Sequence, residues 1–172
     1  MGMKFLASRG TWRQMGDVNI IRETQMGWHP TQLFFPGVSS CTTITFRLNS
    51  GRLMGMHLTI ADSTADFDNL LSQVEAGSAG GVHSIYHVGA LTASGSGWNS
   101  KSKMQWGKQA KAVRKQVGSK GLPSYFLMTP SSGVDVRMTT TGAGVTCETR
   151  AENKAIPFNT TDGWTVGALT PA

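Results

Sequence analysis

A chain of 172 residues with 39% hydrophobic and 15% charged residues fits one globular domain with a sizeable core, and excludes a disordered chain. Two cysteines, Cys41 and Cys147, exclude a disulfide scaffold, and no CxxC or Cys/His cluster has zinc spacing, so neither metal nor cofactor is expected. The formal net charge of +6 favours an acidic partner.

No apolar run is long enough to span a membrane, and the start, MGMKFLASRGTW, lacks the apolar core of a cleavable signal peptide. A soluble protein is expected, cytoplasmic or exported by a signal-independent secretion system. Asp17–Glu23 reads as a short strand, followed by a loop through Trp28, His29 and Pro30. Cys41–Leu48 alternates Cys41, Thr43, Thr45 and Arg47 against Thr42, Ile44, Phe46 and Leu48. Arg52–Ile60 alternates in the same way, with Met54, Met56, Leu58 and Ile60 on the apolar side. Period two of this kind marks strands with one apolar face. Asn49-Ser50-Gly51 between them suits a three-residue hairpin loop that ends in a glycine of positive φ.

Ser63–Glu75 reads as a helix with a capping box at Ser63 and Asp66 and a stripe of Phe67, Leu70, Leu71 and Val74. Val82–Leu91 is a strand and Thr92–Ser100, with Trp98, a loop. A second helix, Lys103–Val117, turns Trp106, Ala110, Val113 and Val117 inward. Strands follow at Ser124–Thr129, Val134–Thr141 and Val145–Arg150, with one more near Trp164–Leu169. The fold class expected is mixed α/β (α+β): a mainly antiparallel, sandwich-like sheet with two flanking helices, all in a single catalytic domain, 1–172.

The hairpin places the chemistry. With a loop of Asn49–Gly51, paired residues sum to 100 in number, so Ile44 meets Met56, Phe46 meets Met54 and Thr43 meets His57. Cys41 and His57 then share a face as diagonal neighbours within side-chain reach. An even-membered loop would set His57 beside Ile44, and the apolar pattern rejects it. A thiol beside an imidazole suits nucleophilic catalysis. The turn-forming segment Pro36–Ser40 is placed to aim backbone N–H groups at a developing oxyanion, with Ser39, Ser40 and Thr43 in supporting roles. Cys147, in phase with Val145, is expected in the core. His83 and His87 stand about 13 Å apart along a strand, too far to share a metal. Both read as structural or surface residues.

The run Val38-Ser39-Ser40-Cys41-Thr42-Thr43, then a strand, a turn and a strand bearing His57, resembles the protein-glutamine deamidases. That superfamily includes the cytotoxic necrotizing factor catalytic domain, Burkholderia lethal factor and the chemoreceptor glutamine deamidases. The likeness covers Phe35–Ile60. Ser40 stands where many members have Gly, and Phe35 where some have a Thr. The group that orients the His stays open among a backbone carbonyl, Thr43 and Thr31. The resemblance implies a bacterial toxin or effector that converts a glutamine of a target protein to glutamate through a Cys41 thioester, with transglutamination as a side reaction. A housekeeping chemoreceptor deamidase and a cysteine peptidase are the alternatives within enzymes.

Between Gly77 and Val134 there is no Asp or Glu, while Lys101, Lys103, Lys108, Lys111, Arg114, Lys115 and Lys120 all fall there. Lys108, Lys111 and Lys115 are candidates for docking an acidic protein substrate. The alternative of another class is a non-enzymatic module that binds nucleic acid or protein through the same basic segment.

Overall fold

The computed structural model describes residues 3–7, 11–15, 19–23, 25–58, 72, 74, 81–89, 111, 113–115, 117, 121–130, 132–153 and 160–171. The strands among them are β1 (Met3–Ala7), β2 (Thr11–Met15), β3 (Met26–His29), β4 (Gln32–Val38), β5 (Thr42–Leu48) and β6 (Leu53–Leu58). They continue with β7 (Val82–Gly89), β8 (Ser124–Met128), β9 (Val134–Thr140), β10 (Val145–Ala151), β11 (Thr165–Val166) and β12 (Thr170–Pro171). One sheet runs β12-β8-β7-β5-β6-β3 and a second runs β11-β10-β9-β4. β1 and β2 form an antiparallel hairpin that lies beside β3. No helix among the described residues is long and apolar enough to cross a membrane.

The β5–β6 hairpin adopts the register that the three-residue loop dictates. Thr43 pairs with His57, Ile44 with Met56 and Phe46 with Met54. The Leu48 N–H donates to the Arg52 carbonyl at 2.9 Å, and Gly51 takes φ of +87°, which a residue with a Cβ rarely adopts. The two faces of this hairpin belong to different cores. Ile44, Phe46, Leu48, Met54, Met56 and Leu58 join Met26, Trp28, Ile85, Val74 and Val113 on one side. Leu53, Tyr86 and Val88 face the other way and pack against Leu33, Phe35, Val38, Val136, Met138 and Cys147 of the four-stranded sheet. Every strand of the central hairpin is therefore buried on both faces.

That burial corrects the expected fold class. The described chain is mostly β, and the mixed α/β arrangement with two flanking helices does not hold. Helical backbone among the described residues is confined to Ser72 and Val74 and to Lys111 and 113–115; Val117 lies in a turn, and the remainder of both expected helices lies outside the described residues. A strand whose apolar residues run in succession shows no period-two signal. β4 (QLFFPGV) is one such strand, and Pro36 is tolerated there because β4 lies at a sheet edge, where no second neighbour needs its missing N–H. The expected loop through Trp28 and His29 is likewise a strand, β3, paired with β6. Conversely, Asp17–Glu23 is no regular strand: Asp17 and Val18 lie outside the described residues, and the rest makes one isolated bridge, Ile20 to Phe34. The tail strand shortens to β11, with β12 beyond it.

Two close approaches between layers depend on glycine. A Cβ on Gly55 would stand 2.7 Å from the Phe35 Cζ and 2.8 Å from the Leu33 Cδ1, so a bare backbone is what lets the Phe35 ring lie against β6. A Cβ on Gly89 would stand 2.5 Å from the Cys41 carbonyl oxygen. On the outer face of the four-stranded sheet, Trp164 is flanked by the Arg137 and Arg150 guanidinium groups at 4.4 and 4.6 Å. Arg150 is also paired with the buried Asp135 at 3.1 Å. Gly55→Ala should overpack the space between the sheets and destabilise the fold by about 1–3 kcal/mol, measured by urea unfolding.

Candidate active site

The link from β4 to β5 carries the chain from one sheet to the other, and Cys41 sits at the crossing. A β-bulge between Phe35 and Val38 makes the bend, with Gly37 at φ +63° and its N–H donated to the Asp135 carboxylate at 3.0 Å. Asp135 is held in turn by Arg150, so the bend is anchored to the four-stranded sheet. Ser39 and the exposed Ser40 then lead directly into Cys41.

His57 lies on β6 opposite Thr43, one pair along from Cys41. Its Nδ1 lies 3.2 Å from the Ile21 backbone carbonyl, and since a carbonyl only accepts, Nδ1 carries the proton. Nε2 is thus the basic nitrogen. It is buried and has no hydrogen-bond partner. The third, His-orienting group is therefore the Ile21 carbonyl. Thr43 donates its hydroxyl to the Val88 carbonyl at 2.9 Å, and the exposed Thr31 sits in the turn whose N–H groups His29 Nδ1 accepts. His29 thus closes the β3–β4 turn and lines no catalytic group. Phe35, at the position where some deamidases carry Thr, packs edge-on to His57 with ring centroids 6.0 Å apart.

Residues 19–23 and Gln25 are tied to both sheets. The Ile21 N–H donates to the Phe34 carbonyl at 2.8 Å, and the His57 N–H donates to the Gln25 carbonyl at 3.0 Å. The same segment delivers Glu23, to which sequence reasoning assigned no role. The Cys41 thiol donates to the Glu23 Oε1 at 3.1 Å. Donor atoms of Glu23, Cys41 and His57 all lie within 4.8 Å of one another. Only the fold brings this acid to the thiol, because it comes from an irregular segment with no sequence signature.

The electrostatics favour neutral partners. Burial pushes the Cys41 thiol up to about 12, and the hydrogen bond and charge of Glu23 push the same way; the Ser40 hydroxyl and the Ser39 backbone oppose them through hydrogen bonds to the sulfur. Burial lowers His57 to about 4, against the opposing pull of the Ile21 carbonyl and the Glu23 charge. The resting pair is thiol and imidazole rather than thiolate and imidazolium. The face that carries them, opposite the apolar one of the hairpin, is interior as well: Cys41 is 2% exposed, and His57 and Thr43 are 0% exposed.

The other assigned residues separate. Cys147 is fully buried between the sheets, where burial also raises its thiol to about 12. His83 is exposed and His87 buried, both away from this cluster. Lys111 and Lys115 are exposed on helical backbone, while Val113 and Val117 pack inward as expected; Lys108, Trp98, Trp106 and Ala110 lie outside the described residues. In comparisons with known proteins, no family model matches the chain and no curated protein matches it.

Two outcomes follow from this geometry. Replacing Glu23 by Gln removes a charge that holds the proton on Cys41, so alkylation of Cys41 by iodoacetamide at fixed pH should speed up several-fold, read by peptide mass spectrometry. For His57 the folded value lies below the unfolded 6.5, so the unfolded chain binds more protons between these values and stability rises with pH. The contribution is complete above pH 6.5 and is lost as pH falls through 4. It is worth roughly 3 kcal/mol, and His57→Gln should flatten that part of the urea-unfolding profile relative to the unaltered protein.

Proposed function

We propose that this chain is a cysteine-dependent amidohydrolase that deamidates a glutamine side chain of a target protein. The observation that carries the reading is the pair Cys41 and His57, with the sulfur and a ring nitrogen within 4.8 Å of each other and Nδ1 of the His committed to a backbone carbonyl. The likeness of Val38–Thr43 and His57 to the protein-glutamine deamidases supplies the substrate class.

In the first half-reaction, His57 Nε2 takes the Cys41 proton as the sulfur attacks the carboxamide carbon. The carbonyl π bond opens to a tetrahedral oxyanion, for which the Ser39–Cys41 turn supplies backbone N–H donors. Because burial disfavours the imidazolium, His57 readily returns the proton to the departing nitrogen, and ammonia leaves a thioester. In the second half, His57 deprotonates water, the hydroxide adds to the thioester, and collapse releases glutamate with the proton back on Cys41. An amine in place of water would give transglutamination. The Ile21 carbonyl holds the ring and balances the charge it carries during each transfer. Ser40 and Glu23, both exposed, mark the side from which the substrate amide approaches. Lys111 and Lys115 give an acidic protein a docking surface distant from the chemistry.

The test is ammonia release from glutamine-bearing proteins and from a blocked glutaminyl dipeptide, with the amide-to-acid mass increase located by peptide sequencing. Cys41→Ala should abolish release, and His57→Gln should reduce it by at least about a hundredfold, the usual scale of a general base. Circular dichroism should show both variants folded. Release that survives Cys41→Ala would refute the assignment.

A further inference from the structure

We propose that Glu23, Cys41 and His57 form a binding site for a thiophilic divalent cation, zinc above all, whose occupancy reversibly blocks the Cys41 sulfur. Three observations converge on it. The donor set is one thiol, one imidazole and one carboxylate, the ligand types that zinc takes, with their atoms within 4.8 Å of one another. The His57 Nε2 is buried, has no hydrogen-bond partner, and belongs to a ring whose other nitrogen faces the Ile21 carbonyl. That carbonyl is the kind of outer partner that fixes a metal-binding imidazole in the correct tautomer. Lastly, Cys41 and Glu23 already meet at 3.1 Å, closer than two ligands of one tetrahedral ion, which stand about 3.3–3.7 Å apart at zinc bond lengths.

Little has to move. His57 is fixed in β6 and Cys41 is held directly before β5, whereas Glu23 is exposed in a turn and free to withdraw by the fraction of an ångström that an inserted ion requires. Binding exchanges the Cys41 S–H bond for a sulfur–metal bond and releases the proton to solvent, with no change of oxidation state. Three protein ligands leave a fourth position for water. While the ion is bound, the sulfur lone pair that would attack an amide is engaged by the metal, and Nε2 cannot take a proton. The coordination itself stands on geometry alone; its consequence for turnover rests on the reading of Cys41 as nucleophile.

The experiment titrates the purified, metal-free protein with zinc chloride against a chromophoric zinc indicator, then with cobalt chloride as a spectroscopic probe. One equivalent should bind, and cobalt should give a near-ultraviolet thiolate-to-metal band with intense tetrahedral visible bands. Cys41→Ser and His57→Gln should abolish the site, Glu23→Gln should weaken it by at least about tenfold, and Cys147→Ser should leave it intact. Zinc should slow iodoacetamide labelling of Cys41 by at least about tenfold, and a chelator should restore it. Absence of saturable binding, a cobalt spectrum without the thiolate band, or a site that survives Cys41→Ser in a folded protein would overturn the inference. If zinc binds as described but ammonia release does not depend on Cys41, the catalytic reading fails and the metal site stands. If ammonia release needs Cys41 but zinc neither binds nor protects it, only the metal site fails.

Discussion

The loop Asn49–Gly51 holds an odd number of residues, and nearly every feature of the site descends from that. Side chains alternate along a strand, so the loop decides which residues of β5 and β6 look the same way. With three residues, Cys41, Thr43, Gly55 and His57 face the second sheet, and the methionines, isoleucine and phenylalanine face the opposite core. A slip by one residue would bury His57 among methionines and turn Ile44 toward the cysteine. Gly51 permits the loop because its φ of +87° is open to glycine, and the Leu48–Arg52 hydrogen bond closes it.

Placing that face between two sheets sets its electrostatics. A thiol and an imidazole removed from water both prefer to be neutral, so the pair stores a proton on sulfur and a lone pair on Nε2. In the proposed reaction such a pair moves its proton as the substrate carbonyl accepts the sulfur. Glu23 gives the arrangement a second character. Toward the thiol it is a hydrogen-bond acceptor that keeps the proton in place, and toward a cation it is a third ligand. In the proposed reaction and the proposed metal site, one carboxylate would restrain the Cys41 sulfur in two chemically distinct ways.

The seam between the sheets also explains why so many constraints converge near Cys41. β4 and β5 belong to different sheets and are joined by only Ser39, Ser40 and Cys41. The bulge at Pro36–Gly37 must turn the chain, Gly89 must admit the Cys41 carbonyl, and Gly55 must admit Phe35. Residues 19–21 are then hydrogen-bonded to β4, and Gln25 to β6.

What the sequence determined by itself is local and periodic. Alternation over Thr42–Leu48 and Leu53–Leu58, with a glycine ending a short polar loop, was enough to set the pairing and to bring Cys41 and His57 onto one face. The buried positions of Val113 and Cys147 were legible for the same reason, since a regular element repeats its burial pattern. The tertiary structure decided the rest. β3 and β4 escaped notice because β3 has only four residues and β4 carries Leu33, Phe34 and Phe35 in succession without alternation, and the balance of strand over helix was misjudged with them. The face bearing His57 looked polar because its residues are Thr and Gly, yet the second sheet covers it; a strand's own residues do not record what packs against it. The Ile21 carbonyl is identical in every residue type, and Glu23 lies 18 residues from Cys41 in an irregular segment, so neither leaves a trace in spacing. Their approach to the thiol and the imidazole depends on where a chain without regular pairing is tied down, and among the described residues long-range hydrogen bonds to Phe34 and His57 hold it there.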